Sequence, residues 1–437
     1  MKILYLADNR VRGNFGCRAT STALSMLVGE DHEIVGRITG RHTNYDTGNL
    51  FFCKYFPKWV YRWVSKRKWW KQIKPSIYLV LRKLSRGNYY FGSFDFISLD
   101  MEKSISNYKK CHIANPEIEE YNLENYDFDA LVVNGEGSFI FSTPAWRESL
   151  IMSMIMYWAL KKGKKVYFMN AMFSDLPNSP RNYKTLSVVE KILSKCEIVV
   201  ARESTSYAYV NKYMPKVKAL LIPDALFTWY NLINDEHKVC NGKYYLAHAA
   251  ECDESYYNQD FTSKYILIAG SSAGFNNENY QKGIDAYSYL VQQLQKVYSG
   301  NVYLIQVCEG DEFLKKVSLV TNVPLISMET PIVAAAKILA NAEVFISGRY
   351  HPAIMASQGG TPCVFMDSNS HKTRSLQDLL GYDMIKEFNY IPSSEESLQM
   401  IKLALDYCNQ GEYLRKKIKE RAFELYKEAR TMKNYIK

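Results

Sequence analysis

The sequence predicts an α/β protein: two doubly wound, parallel-sheet domains that face a cleft. Three observations carry this expectation. Short apolar runs recur along the chain, at 3–7, 130–133, 165–169, 265–269 and 343–347. They alternate with stretches of helical spacing about 10 to 18 residues long, the pattern of repeated strand–helix units. The chain has 437 residues, enough for two cores, and a polar join near 230–262 separates two such series.

Taken in order, a strand at 3–7 leads into the glycine loop Arg12-Gly13-Asn14-Phe15-Gly16 and a helix over about 18–28, the opening of a βαβ unit. Strands follow at 32–35 and 130–133, the latter ending in the loop Asn134-Gly135-Glu136-Gly137-Ser138. Helix 144–161, strand 165–169, helix 183–194, strand 197–201, helix 204–213 and strand 219–222 complete a first domain spanning 1–230. A second domain, 262–410, holds strands at 265–269, 302–307, 324–327, 343–347 and 362–366. Helices at 278–297, 311–319, 331–341 and 352–358 lie between them. The segment 411–437 is rich in Lys, Arg and Glu at helical spacing, and reads as a terminal helix that caps one domain or crosses back to the first.

Composition narrows the class. The chain is 47% hydrophobic and 23% charged, too apolar for disorder and too charged for a multi-span membrane protein. The formal charge is +10, but residues 47–94 hold 11 basic residues and no acidic one, so the remainder is near neutral. A nucleic-acid binder spreads positive charge over its folded face, so no nucleic-acid partner is expected. The basic block interrupts the first domain and carries Trp59, Trp63, Trp69 and Trp70, four of the seven tryptophans. Phe56, Trp59, Trp63, Trp70 and Ile73 fall in one broad helical stripe, with Lys66 inside it; Pro75 would end that helix and 77–84 would form a second. Basic residues with tryptophan suit an anionic membrane surface; a structural helical hairpin is the competing reading. The nine cysteines are scattered, with no Cys-x-x-Cys pair, so neither a disulfide framework nor a metal site is expected. The start lacks the marks of a signal peptide, and the longest apolar run, 150–160, is about half a membrane span. These features predict a cytoplasmic protein, peripheral to the inner face of the membrane.

The strongest chemical signal is Ser347-Gly348-Arg349-Tyr350-His351-Pro352 between a strand and a helix, with Pro352 at the first helical position. Helix amides there attract anions, and Arg349 and His351 add two donors. A solvated surface turn is the alternative. Glu136, in the loop after the third strand, is a carboxylate placed to act as a base, and the same loop reads equally as a plain tight turn. Arg202 follows a strand end, with Ser204 as the expected helix cap and an Arg202–Glu203 surface pair as the plain reading. Lys372 and Arg374 follow the last strand, where a solvated helix start explains them as well. Residues 152–156, rich in Met, read as core, and His42, His112, His237 and His248 have no partner at ligand spacing.

Six segments in order resemble the polysaccharide pyruvyl transferase family: Gly13-Asn14-Phe15-Gly16, Asn134-Gly135-Glu136-Gly137-Ser138, Ala201-Arg202-Glu203-Ser204, Ile222-Pro223-Asp224-Ala225, Gly348-Arg349-Tyr350-His351 and Gly359-Gly360-Thr361-Pro362. Lys372 stands nine residues before Gly381, where the family has a Lys ahead of a Leu-Gly pair. Cys17 stands where many members carry an acidic residue, Glu136 replaces a glycine, and the 47–125 region is long and basic. The resemblance implies the two-domain GT-B fold and transfer of pyruvate from phosphoenolpyruvate, a co-substrate rather than a cofactor. The acceptor would be a sugar of a cell-surface polysaccharide or its lipid-linked precursor. It implies that Arg202, Arg349, His351 and Lys372 hold the donor's phosphate and carboxylate. The chemistry of that transfer then suggests His351 as acid or phosphate ligand and Glu136 as base for the acceptor. Asn14, Gly135, Gly137 and Ser138 would form the acceptor side. The competing reading is a GT-B glycosyltransferase using a nucleotide sugar. The paired glutamates of its retaining type are missing: Ser347 and Met355 occupy those places.

Overall fold

A computed structural model describes residues 1–39, 58–65, 67–70, 72–73, 76, 96–111, 116–143, 145–176, 179–235, 258–274 and 279–437. The expected helix at 77–84 and most of the polar join lie outside them.

Two parallel sheets form the framework. The first contains β1 (Lys2–Asp8), β2 (Glu33–Thr39), β3 (Ala130–Ile140), β4 (Lys165–Ser174), β5 (Ile198–Ala201) and β6 (Ala219–Leu221), in the order β2-β1-β3-β4-β5-β6. The second contains β7 (Tyr265–Ser271), β8 (Asn301–Ile305), β9 (Leu325–Ile326), β10 (Val344–Gly348) and β11 (Cys363–Phe365), in the order β11-β10-β7-β8-β9. Each order reverses at its first strand, which opens a crevice at the carboxyl ends of β1 and β3, and of β7 and β10.

The helices of the first half are α1 (Phe15–Gly29), α2 (Lys58–Ser65), α3 (Met101–Cys111), α4 (Arg147–Lys161), α5 (Tyr183–Leu193) and α6 (Ser204–Tyr213). The second half has α7 (Tyr280–Val297), α8 (Leu314–Thr321), α9 (Ile332–Asn341), α10 (Tyr350–Gln358), α11 (Lys372–Leu379) and α12 (Ser394–Arg430). One-residue-in-two alternation is absent from the central strands because both sheet faces are covered: Ile3 to Ala7, Ala130 to Val133 and Ile266 to Ala269 are all buried. In α4 the methionines 152, 154 and 156 are core, as their setting predicts.

Three local expectations need correction. The Asn134–Ser138 segment is not a loop after β3 but part of it. Pairing with β4 continues to Ile140↔Ser174, with a register break between Glu136 and Phe139. Gly135 makes this possible, since a Cβ there would meet the Ala171 Cβ at 2.5 Å. Pro352 is the third residue of α10, still in the first turn where the missing N–H costs no helical bond. The cap of α6 is Glu203, whose carboxylate accepts from the Ser206 N–H at 3.0 Å, not Ser204. The described residues of the basic block divide between core and solvent. Val64 and Trp70 are buried, whereas Trp59, Trp63, Trp69 and Ile73 are exposed.

The terminal helix crosses back. It starts at a Ser393–Glu396 capping box, changes direction at Gly411 (φ 51°), and ends against the first half. Arg430 and Lys433 pair with Glu30, and the Ile436 carbonyl lies 3.2 Å from His32 Nε2. No helix among the described residues is long and apolar enough to cross a membrane.

Candidate active site

The two halves meet at the carboxyl ends of their strands, around a cavity of ≈ 140 Å³ lined by Asn14, Glu136, Arg202, Arg349, His351 and Lys372 among others. Three helices begin at its rim. The Asn14 side chain caps α1 by accepting from the Gly16 and Cys17 N–H groups at 2.7 and 3.4 Å. Arg349 is the N-cap of α10, and Lys372 opens α11. Helix N-termini favour negative charge, so the backbone adds to the side-chain cations.

Arg202 lies at the end of β5 and is 2% exposed. It does not pair with its neighbour Glu203. Its Nη1 donates to Asp224 Oδ2 at 3.0 Å and lies 3.1 Å from His351 Nε2, and its guanidinium covers the Tyr350 ring at 4.5 Å. His351 comes from the opposite half, so this contact joins the two sheets. Gly16 admits it: a Cβ there would stand 2.4 Å from His351 Nδ1. A backbone bond from Phe15 N–H to the Val307 carbonyl, 2.9 Å, braces the same seam.

Asp224 organises the group. Fully buried, it accepts from Thr20 Oγ1 at 2.8 Å and from the Leu226 N–H at 2.9 Å, and faces His351 Nε2 at 3.3 Å. Burial alone would raise its pKa, but His351 and Arg202 hold its carboxyl well below the usual range. Behind it runs a buried polar chain. Asn170 bridges Thr20 and Asn134, Asn134 reaches Ser21, and Ser21 accepts from the Asn9 N–H. Asn9 in turn donates to Glu136.

Arg349 donates to the buried Asp311 through Nη2. The Nε atoms of Arg202 and Arg349 are buried and lack a hydrogen-bond partner among the described residues. Lys372 has neither a hydrogen bond nor an ion pair among them. Burial and the nearby Arg202 and Arg349 push its pKa down to about 7. Glu136 sits at φ 38°, a left-handed conformation uncommon for glutamate, and accepts from Cys17 Sγ at 3.1 Å. Burial, then Glu136, raise that thiol well above its ordinary pKa, which keeps it protonated as the donor.

Seven of the sequence-predicted residues therefore converge: Asn14, Glu136, Gly137, Arg202, Arg349, His351 and Lys372. Two do not reach the cavity. Gly135 is a packing position between β3 and β4. Ser138 Oγ donates to Glu148 of α4 at 2.9 Å, a carboxylate that also holds Arg12. Arg374, exposed, pairs with Glu387 outside the cavity. Sequence reasoning missed the anchors. Asp224 stood in a quoted segment without a role, and Asp311 carried no local signal. His371, beside Lys372, binds the α6 cap Glu203 at 2.9 Å. Among the described residues no cluster of His, Cys, Asp and Glu would hold a metal ion.

A family model for polysaccharide pyruvyl transferase matches residues 36–370. The chain belongs to that family. Membership makes it an enzyme of pyruvyl transfer in polysaccharide biosynthesis. Among solved structures, it is similar to the UDP-GlcNAc 2-epimerase of Neisseria meningitidis, with TM-score 0.50 and 12% identity over 98% of this chain and 99% of that one. The corresponding epimerase of Methanocaldococcus jannaschii gives TM-score 0.48 and 11% identity over 93% of each chain. At such identities the likeness concerns the fold, which is GT-B-like with a C-terminal helix. Comparison with curated proteins finds none that matches.

Proposed function

We propose that this pyruvyl transferase takes pyruvate from phosphoenolpyruvate and joins it to two hydroxyls of an acceptor sugar as a ketal. The observation that carries the reading is the cation set: Arg202, Arg349 and Lys372 converge on one small cavity and, among the described residues, two guanidinium Nε–H groups have no hydrogen-bond partner and the lysine is in no ion pair. Phosphoenolpyruvate carries a carboxylate and a phosphate, and needs several fixed donors.

The chemistry follows from the donor. A proton added to the methylene carbon leaves positive charge on the carbon bearing phosphate. A sugar hydroxyl attacks that carbon and loses its proton, phosphate departs, and a second hydroxyl closes the ketal. His351, positioned by Asp224, supplies or steadies a proton near the phosphate, and Glu136 takes the acceptor proton. Arg202, Arg349 and Lys372 hold the donor's anionic groups and the phosphate as it leaves.

The acceptor is a cell-surface polysaccharide or its lipid-linked precursor, reached from the cytoplasmic face. Trp59 and Trp63 of α2, 70% and 52% exposed, lie in the basic block and would seat on an anionic leaflet while Val64 and Trp70 anchor the segment.

Purified protein tests the donor. Phosphoenolpyruvate should raise its melting temperature and UDP-GlcNAc should not. Phosphate release from phosphoenolpyruvate should require added glycan acceptor, and His351→Ala should abolish it with little loss of folding. Stabilisation by UDP-GlcNAc alone, or near-normal turnover in that variant, would sink the reading.

A further inference from the structure

A second cavity, larger and more open at ≈ 670 Å³, lies on the other side of the loop that carries Lys372. Both halves wall it: Asp175, Arg181 and Tyr183 from the first, Asp367, His371 and Arg374 from the second. Its position is tied to the donor cavity residue by residue. Asn369 and Lys372 line the small cavity, while Ser368, Ser370 and His371 of the same loop line the large one. The partition between them is the His371–Glu203 pair at 2.9 Å, and the residue before Glu203 is Arg202.

The charge pattern distinguishes the two cavities. Arg181 Nε donates to both Asp175 oxygens at 2.9 and 3.1 Å, and Arg374 is held by Glu387. His371 is held by Glu203. Each cation on the wall has its own carboxylate, as Arg202 and Arg349 do, but neither Arg181 nor Arg374 keeps a buried, unpartnered Nε like theirs and no wall lysine stands outside an ion pair as Lys372 does, so an anionic ligand is less well served here. What is offered instead is an acceptor and an apolar face. The Asp367 carboxylate receives no hydrogen bond among the described residues. Tyr183 is 68% exposed, with the Arg181 guanidinium 5.6 Å from its ring. A carboxylate that binds hydroxyl donors beside an open aromatic ring suits a neutral, polyhydroxylated ligand, whose C–H face packs on the ring.

We infer that this cavity holds the acceptor glycan: neutral hexose or N-acetylhexosamine units adjoining the sugar that enters the donor cavity. The inference rests on the pyruvyl-transfer reading and adds the class and seat of its second substrate.

The full chain, applied to an array of neutral and acidic oligosaccharides, tests it. Neutral glycans should retain the wild type. Tyr183→Ala and Asp367→Asn, neither of which touches the donor cavity, should each weaken retention at least tenfold. Thermal stabilisation by phosphoenolpyruvate should stay unchanged in both variants. Retention that survives both substitutions, retention of acidic glycans alone, or no retention at all overturns the assignment. Stabilisation of the wild type by phosphoenolpyruvate reports on the donor reading separately, so failure of one reading is not mistaken for failure of the other.

Discussion

Gly16→Ala puts a single methyl group into the seam between the halves, where its consequence can be worked out. The new Cβ would stand 2.4 Å from His351 Nδ1 and 3.0 Å from that residue's Cβ and Cγ. An ordinary contact needs about 3.4 Å, so either the imidazole retreats by about 1 Å or the halves part by that much. Retreat is opposed on the far side of the ring, where Nε2 already lies 3.1 Å from Arg202 and 3.3 Å from Asp224. A misplacement of about 1 Å at a reacting centre costs about 100-fold in rate, and overpacking costs about 1–3 kcal/mol of stability. Single-turnover phosphate release from phosphoenolpyruvate should therefore slow by about 100-fold while the protein still melts cooperatively. The control is the same substitution in a His351→Ala background, read by melting temperature: only the 3.0 Å contact with the residue-351 Cβ remains there, so the added loss of stability should be smaller. Near wild-type turnover in Gly16→Ala, or an equal loss of stability with and without the imidazole, would refute the reasoning.

Other outcomes follow from the same geometry. Asp224→Asn leaves the buried Arg202 without its carboxylate; it should cost about 3–5 kcal/mol in a denaturant melt, as breaking a buried pair does, and lower turnover more than donor affinity. With its pKa at about 7, Lys372 in the free enzyme loses charge as pH rises through neutrality. kcat/KM for phosphoenolpyruvate should fall above about pH 7, and a flat profile there would contradict the assignment. The folded pKa lies below the unfolded value of 10.5, so the unfolded chain binds more protons between them and Lys372 costs stability that is recovered as pH rises through that window. Lys372→Met should accordingly melt higher than wild type near pH 7, and the advantage should shrink toward pH 10. Trp59→Ala with Trp63→Ala should reduce co-sedimentation with vesicles containing phosphatidylserine and leave phosphoenolpyruvate binding intact; salt-insensitive binding, or none by the wild type, would count against docking.

Much of the site was legible because its chemistry sits at strand ends, which sequence periodicity locates well. Arg202, Arg349 and Lys372 each follow an apolar run, and topology does the rest by bringing those ends to one crevice. What could not be read are the partners. Asp311 reaches Arg349 from 38 residues away and Asp224 reaches His351 across the seam, contacts that no local pattern encodes. The glycine neighbours of Glu136 signal a turn and so predict a loop there. Pairing with the long β4 overrides that preference and leaves the strain at Glu136 itself. Spacing alone does not say which tryptophans of the basic block pack and which face water: Trp70 is buried, whereas Trp59 and Trp63 are exposed.

The returning terminal helix has a mechanical consequence. Its ties lie behind the cleft. Arg415 bonds the Ala342 carbonyl just ahead of β10, and the Ile436 carbonyl meets His32 just ahead of β2. Lys165, at the start of β4, reaches the last carbonyl of the chain at 2.8 Å. All of these are amino ends of strands, whereas the cavity occupies the carboxyl ends. Two lobes laced along one edge part most easily at the other, as a jaw does. A gape on that side would be borne by the contacts that cross there, Phe15–Val307, Arg202–His351, Glu203–His371 and Thr205–Ser375, while the lacing at the rear acts as the pivot.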